Sequence, residues 1–273
     1  MQTAFAIVVL CALFLVAAVF AAARMFRTRI LALVARLRDS PTTRNLEASL
    51  PPLVADYARK AGAEPGAKLR VASFNQEGEL RVKQGGPFAK FAAWQVSSLG
   101  RAGFVWDARQ DWGPFTRFRV LDSYVGTKGR LEARILGAIP AARAEGDDID
   151  LAEAYRYLAE LPWLPDAILG NPELAWRVTG ADTVEVRLKT QSGPARVSFR
   201  FNAEGDIVAM AAKGRPARDA SGTKADYMWR GRFSDYRQIG PRRLPAVGEV
   251  GYVYPSGYEP YFRCRLTEYH LTE

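Results

Sequence analysis

The residues able to do chemistry are few and scattered. The chain's one histidine, His270, stands close to the C-terminal Glu273. A Ser–His–acid triad or a multi-histidine metal site therefore has no material elsewhere in the chain. There is no P-loop and no G-x-G-x-x-G turn to cradle a phosphate. The acids of "GDDIDLAE", Gly146 to Glu153, are spaced loosely like a calcium loop but lack the glycine and ligand order of an EF-hand. Helix capping accounts for them, so neither a metal nor a cofactor is expected. Paired carboxylates remain. Asp107, Asp111, Asp122, Asp226, Asp235 and Glu249 lie near aromatic residues, and an acid buried against Trp106 or Trp112 would have its pKa raised. In a strand-rich chain such acids also anchor turns or pair with arginines. A carboxylate-dependent hydrolase is therefore the third reading, behind two non-enzymatic ones.

The densest stretch is "YMWRGRFSDYRQIGPRRLP". Arg230, Arg232, Arg237, Arg242 and Arg243 interleave there with Tyr227, Trp229, Phe233 and Tyr236. Such interleaving binds single-stranded nucleic acid or anionic lipid headgroups. It also describes a plain strand with one apolar and one polar face, and the period-two alternation favours that. Nucleic acid ranks last, because charge gives it little support. Six of the 38 basic residues and one of the 29 acids fall in residues 1–44, which leaves 32 bases against 28 acids for the rest.

Residues 1–44 are a different kind of sequence. Ala4 to Ala23 contains neither charge nor proline. Twenty residues of helix rise about 30 Å, the thickness of a bilayer's hydrocarbon core. A membrane anchor is expected over 1–23, and no basic residue precedes it as in a signal peptide. "RMFRTRILALVARLRD" follows, with Arg24, Arg27, Arg29, Arg36 and Arg38 against Asp39 alone. Met25, Phe26, Ile30, Leu33, Val34 and Leu37 recur there at helical spacing. Residues 24–52 read as a basic juxtamembrane helix, its arginines at lipid headgroups, followed by the linker "DSPTTRNLEASLPP". Cys11 lies in the apolar span and Cys264 in the remainder, so the soluble part holds no disulfide.

The third part, 53–273, is built of strands. In "TVEVRLKT", Val184, Val186 and Leu188 alternate with Glu185, Arg187 and Lys189; in "ARVSFRFN", Val197, Phe199 and Phe201 alternate with Arg196, Ser198 and Arg200. That is an antiparallel sheet with one apolar and one wet face. About eleven strands at short spacing predict a mainly β fold, a curved antiparallel sheet or half-open β-barrel with covering helices. One helix is "LVADYARKAG", with Leu53, Val54, Tyr57 and Ala58 on one side. The other, inserted over 150–161, takes Asp150 as N-cap and Glu153 as its capping-box partner. Arg156 and Glu160 are spaced to pair across a turn. Leu151, Ala154, Tyr155, Leu158 and Leu161 form its apolar side. Pro162, Trp163 and Pro165 then make a stiff apolar stub, expected to plug the mouth of the sheet.

"AYRYLAELPWLPDAI" and "WRGRFSDYRQIGPRRLPAVGEVGYVY", with "FVWDAR" and "LDSYVG" before them, resemble an uncharacterised bacterial family of membrane-associated proteins, a domain of unknown function. The resemblance covers roughly residues 50–271 and implies no activity and no catalytic residue. At fold level the strand count and inserted helices are similar to the lipoprotein carriers LolA and LolB. Those are half-open barrels closed by helices over an apolar cavity, which implies a LolA-like domain here.

The reading is a single-pass protein of the bacterial inner membrane holding a lipid or other hydrophobic ligand in a half-barrel cavity. Trp94, Trp106, Trp163, Phe199 and Trp229 are the expected lining, and Arg230 and Arg232 the expected headgroup contacts. The runner-up is a scaffold docking an unidentified membrane-protein partner. The arginine flank argues for a cytoplasmic domain by the positive-inside rule, whereas the carrier analogy argues for a periplasmic one.

Overall fold

The structure is a computed structural model. It describes residues 1–113, 115–218 and 223–273, with backbone alone for Trp112, Phe115 and Arg218. Helix α1 (Gln2–Arg38) is followed by a short 3-10 turn (Glu47–Ser49) and α2 (Pro52–Lys60). Six strands come next: β1 (Val71–Leu80), β2 (Ala89–Ser98), β3 (Phe104–Trp112), β4 (Phe115–Val125), β5 (Lys128–Ile135) and β6 (Ile139–Ala144). A cap interrupts them: α3 (Asp147–Ala159), a 3-10 turn (Leu161–Trp163) and α4 (Pro165–Gly170). The second run is β7 (Leu174–Val178), β8 (Thr183–Thr190), β9 (Gly193–Phe201), β10 (Ile207–Ala212), the short ribbon β11 (Ala217–Arg218) and β12 (Lys224–Ala225), then β13 (Met228–Ile239), β14 (Arg242–Tyr254) and β15 (Gly257–Thr272).

All but the ribbon form one thirteen-stranded sheet, ordered β6-β5-β4-β3-β2-β1-β15-β14-β13-β10-β9-β8-β7. The paired strands are antiparallel, and the sheet does not close on itself. The mainly β, half-open architecture is as expected, with more strands than expected. "GRLEARILGAI" is not one strand, because the chain reverses at Leu136 and Gly137 to form β5 and β6. The clean alternations hold: Val184, Val186, Val197 and Phe199 are wholly buried while their neighbours point out.

One face of the sheet curls around the cap. Helix α3 contacts β4 and β5 on one side and β8 and β9 on the other, so it bridges the two arms. This inner face and the cap share one core, with Phe74, Phe104, Leu158, Leu164, Ile168, Phe199 and Leu244 at 1 % exposure or less.

The outer face of β2, β3 and β4 is also apolar, and α1 covers it. Phe26, Ile30, Val34 and Leu37 pack on Val71, Val96, Val105, Leu121 and Val125. Each such buried side chain contributes roughly 1.5–3 kcal/mol relative to exposure. The basic second half of α1 is therefore part of the domain's core and continuous with the apolar stretch. Its arginines are exposed, and Arg29, at the flank of the docked stripe, reaches Glu132 at 3.4 Å.

Antiparallel pairing gives the sheet two ends. The β1–β2, β3–β4, β5–β6 and β14–β15 turns lie at one end, here called the mouth. The β2–β3, β4–β5 and β13–β14 turns lie at the other, with the C-terminal end of α1: a Cβ on Gly103 would stand 3.0 Å from Leu37.

Candidate functional site

The charged side of α3 does not face water. Gly146 (φ 104°) begins the helix, and no side chain caps it. Asp150, expected as N-cap, instead turns to β5, accepting from the Gly129 N–H at 2.6 Å and Lys128 Nζ at 2.8 Å. A positive φ favours glycine at the helix start and frees the acid to tie helix to strand. Glu153, Arg156 and Glu160 then aim at the inner face of β2–β4.

Arg156 is the hub. Its Nε donates to Glu160 Oε1 at 2.8 Å and Nη1 donates to Asp122 Oδ2 at 2.5 Å. Its guanidinium lies 4.7 Å above the Phe104 ring and 4.9 Å above Trp106. Gln95 Nε2 donates to the other oxygen of Glu160, and Trp106 Nε1 donates to Gln76 at 2.8 Å. Burial works against the arginine's charge, but the adjacent Glu160 and Asp122 outweigh it and keep the guanidinium ionised. Burial, then the neighbouring Asp122, pushes the Glu153 carboxyl well above the usual glutamate range. Glu153 Oε2 and Asp122 Oδ1 are both buried without a hydrogen-bond partner among the described residues, and burial favours the neutral form of Glu153.

Toward the mouth, the inner face changes character. Leu80, Val120, Val250, Tyr252, Tyr261 and Phe262 are only partly buried there. Phe91 stacks on Phe262 at 5.3 Å, and Tyr252 on Tyr261 at 5.5 Å. Arg215 stands among these rings. It lies 4.6 Å over Trp229 and donates to the Tyr252 hydroxyl, yet among the described residues its buried Nε has no partner. A buried donor left unmade costs about 1–3 kcal/mol, so Arg215 is poised to meet an acceptor.

The expected site residues divide between the two faces. Trp106, Trp163, Phe199 and Trp229 point inward and are at most 4 % exposed. Trp94 is on the outer face, against the core that α1 shares. Arg230 and Arg232 alternate with Trp229 and Phe233 along β13, so they also face out, Arg232 over the Tyr258 ring. They lie on the face opposite the inward tryptophans, whereas Arg215 stands beside Trp229. Trp163 is not at the mouth. Its Nε1 donates to the Pro245 carbonyl at 2.9 Å, and its ring edge meets Gly248, Phe74 and Phe233 in the middle of the core. The cap's side chains fill the middle of the concave face, and the partly exposed inner face begins nearer the mouth.

Of the acids singled out in the sequence, Asp122 joins the buried cluster. Asp107 pairs with Arg119, Asp235 with Arg265, Glu249 with Arg263, and Asp111 holds Thr116. Asp226 accepts from the Gly214 N–H at 3.3 Å. The Trp112 side chain lies outside the described residues. His270 is exposed, 4.0 Å from Glu268. Among the described residues no group of His, Cys, Asp and Glu is placed to hold a metal. Glu153 and Arg215 went unnoticed as site residues. The first read as a capping partner, and the second sits in an irregular segment with no periodic signal.

Three solved structures resemble the chain in shape. A LolA superfamily protein from Nitrosomonas europaea gives a TM-score of 0.44 at 9% identity, over 81% of this chain and 94% of that one. A domain described as that of an outer membrane lipoprotein-sorting protein from Vibrio parahaemolyticus gives 0.46 at 9% identity, over 81% and 91%. A DUF1329 family protein from Desulfovibrio piger gives 0.43 at 9% identity, over 84% and 93%. Likeness at this level carries no function. No curated protein matches the sequence. The resemblance to a family of unknown function does hold: residues 39–264 match DUF6544, a family of unknown function, and the chain belongs to it.

Proposed function

We propose that the chain is a membrane-anchored, non-enzymatic binding domain that takes the apolar part of a lipid, or of another amphipathic molecule, into the mouth between the cap and the sheet. Arg215 Nε, buried beside Trp229 and Tyr252 without a partner among the described residues, carries the reading. An oxygen of a polar headgroup is the acceptor it lacks, and the surrounding rings are a surface for the adjoining chain. The partly buried Leu80, Val120, Val250 and Phe262 extend that surface inward. Helix α1 supplies the anchor, being long and apolar enough to cross a membrane; residues 4–23 are the assigned span. Residues 24–52 belong to the domain rather than to a free linker, since the end of α1 packs on the sheet.

The test is native mass spectrometry of the full chain ejected from lipid nanodiscs. Wild type is expected to retain one lipid per chain, and Arg215→Ala to lose it while keeping its fold. A wild type that emerges bare, or an Arg215→Ala variant that retains lipid equally, ends this reading and returns the scaffold to first place.

A further inference from the structure

This inference rests on the reading of α1 as a membrane span. The docked stripe of α1 does not stop at Phe26. Val19, Ala22 and Ala23 are half-buried and continue it one turn into the apolar stretch. The β5–β6 turn stands over that turn of helix: a Cβ on Gly137 would lie 3.7 Å from Ala23 Cβ. Further along, Arg134 covers the Phe26 ring at 4.3 Å and Glu132 meets Arg29 at 3.4 Å. Strand β5 therefore runs antiparallel to α1, and its end arrives where the apolar stretch gives way to Arg24.

At that level the turn is unsuited to water. Ile135, Leu136 and Ile139 are 39%, 45% and 50% exposed on one hairpin tip. The backbone adds a second anomaly. Leu136 (φ 54°) and Gly137 (φ 67°) are both left-handed, with the Ala138 N–H donating to the Ile135 carbonyl at 3.0 Å. Such turns favour Asn, Asp or Gly at the first position, and a left-handed leucine is disfavoured by Cβ–carbonyl contact. Leu136 is thus unfavourable in both conformation and exposure if the turn faces water. Cations stand next to it in the chain or in the sheet. Arg24, Arg27 and Arg117 are exposed, and the Arg117 carbonyl accepts the Leu136 N–H at 3.0 Å.

We propose that the β5–β6 turn is a second membrane contact. Ile135, Leu136 and Ile139 enter the interfacial layer of the leaflet that α1 leaves, with Arg24, Arg27 and Arg117 on its anionic headgroups. The occupant of this apolar patch is the bilayer itself, because the patch continues directly from the membrane stretch of α1. Held at two points, the domain turns its mouth to the lipid surface, since the β5–β6 turn belongs to the mouth end of the sheet.

The test uses the full chain in nanodiscs of mixed zwitterionic and anionic lipid, in a Cys11→Ala background, with Cys264 buried and silent to label. Bimane is attached at Leu136→Cys, at Phe14→Cys in the span, or at Glu204→Cys in the β9–β10 turn, which lies at the opposite end. Nitroxide-bearing lipids are then added as quenchers. Loss of fluorescence at Leu136 and Phe14, with none at Glu204, is the expected result. Quenching at Phe14 with Leu136 as bright as Glu204 overturns the second contact and leaves the anchor standing. No quenching at Phe14 removes the anchor and the second contact with it.

Discussion

Glu153 carries a proton that its unfolded counterpart gives up at acidic pH. The folded carboxyl titrates above the usual glutamate range because it is buried beside Asp122, with Arg156 and Arg215 pulling the other way. Between the unfolded and folded pKa values the native state binds the extra proton. Stability therefore falls as pH rises through that window, by at most about 1.4 kcal/mol per pH unit. Glu153→Gln keeps the size of the neutral side chain and removes the titration. Its melting temperature is expected to gain on wild type steadily from the ordinary glutamate range upward, read by calorimetry of the full chain in detergent. Parallel curves for the two proteins would show that Glu153 is ionised in the fold. The sequence held this residue in plain view and still concealed it. Glu153 stands three residues after Asp150, the spacing of a capping box, and no local pattern reveals that the helix is buried on its charged side.

That last point belongs to the elements. Helix α3 has ordinary amphipathic spacing, and its apolar residues are buried as their period requires. Ala152, Glu153, Tyr157 and Glu160 are buried as well, because the sheet wraps the helix instead of lying beneath it. Curvature is a property of many strands together, so one helix's sequence does not carry it. The strands were more legible. The one-faced β8 and β9 face water on one side, and their alternation is clean. β2, β3 and β4 are apolar on both faces, which signals two neighbours, and the second neighbour proves to be α1. The cap's attachment can be weighed by mutation. Arg156, Asp122 and Glu160 have side chains no more than 14% exposed. Arg156→Met leaves two buried acids unpaired and is expected to lower stability by about 3–5 kcal/mol in urea unfolding followed by tryptophan fluorescence. Arg263→Met removes pairs to Glu79 and Glu249 from a side chain that is 46% exposed, and should change stability by less than about 1 kcal/mol. Equal losses from both would mean that the cap is held by its apolar contacts alone.

At the scale of the whole molecule, the proposed anchor places its side-determining arginines on a helix that the domain also uses. The arginines after Ala23 satisfy the positive-inside rule for a cytoplasmic domain, and the helix that carries them is docked on the sheet. Glu204→Cys, on an exposed turn far from the span, reads the side directly. A membrane-impermeant maleimide is expected to leave it unlabelled in spheroplasts of a bacterial host and to label it once they are lysed. Labelling before lysis would place the domain outside the cytoplasm and make the flank an exception to the rule.

Helix α1 runs unbroken from Gln2 to Arg38, and its last third is locked to β2, β3 and β4. The proposed span and the domain are therefore geared together. Any rotation of the buried part about its own axis carries the domain round through the same angle. Adding one residue to the helix upstream of Val19 leaves every contact with the sheet in place. It nevertheless turns the apolar half of α1 by about 100° and shifts it by about 1.5 Å relative to the domain. On the anchored reading, the azimuth at which the protein meets its neighbours in the bilayer is thus written in the length of the helix, in steps of a single residue.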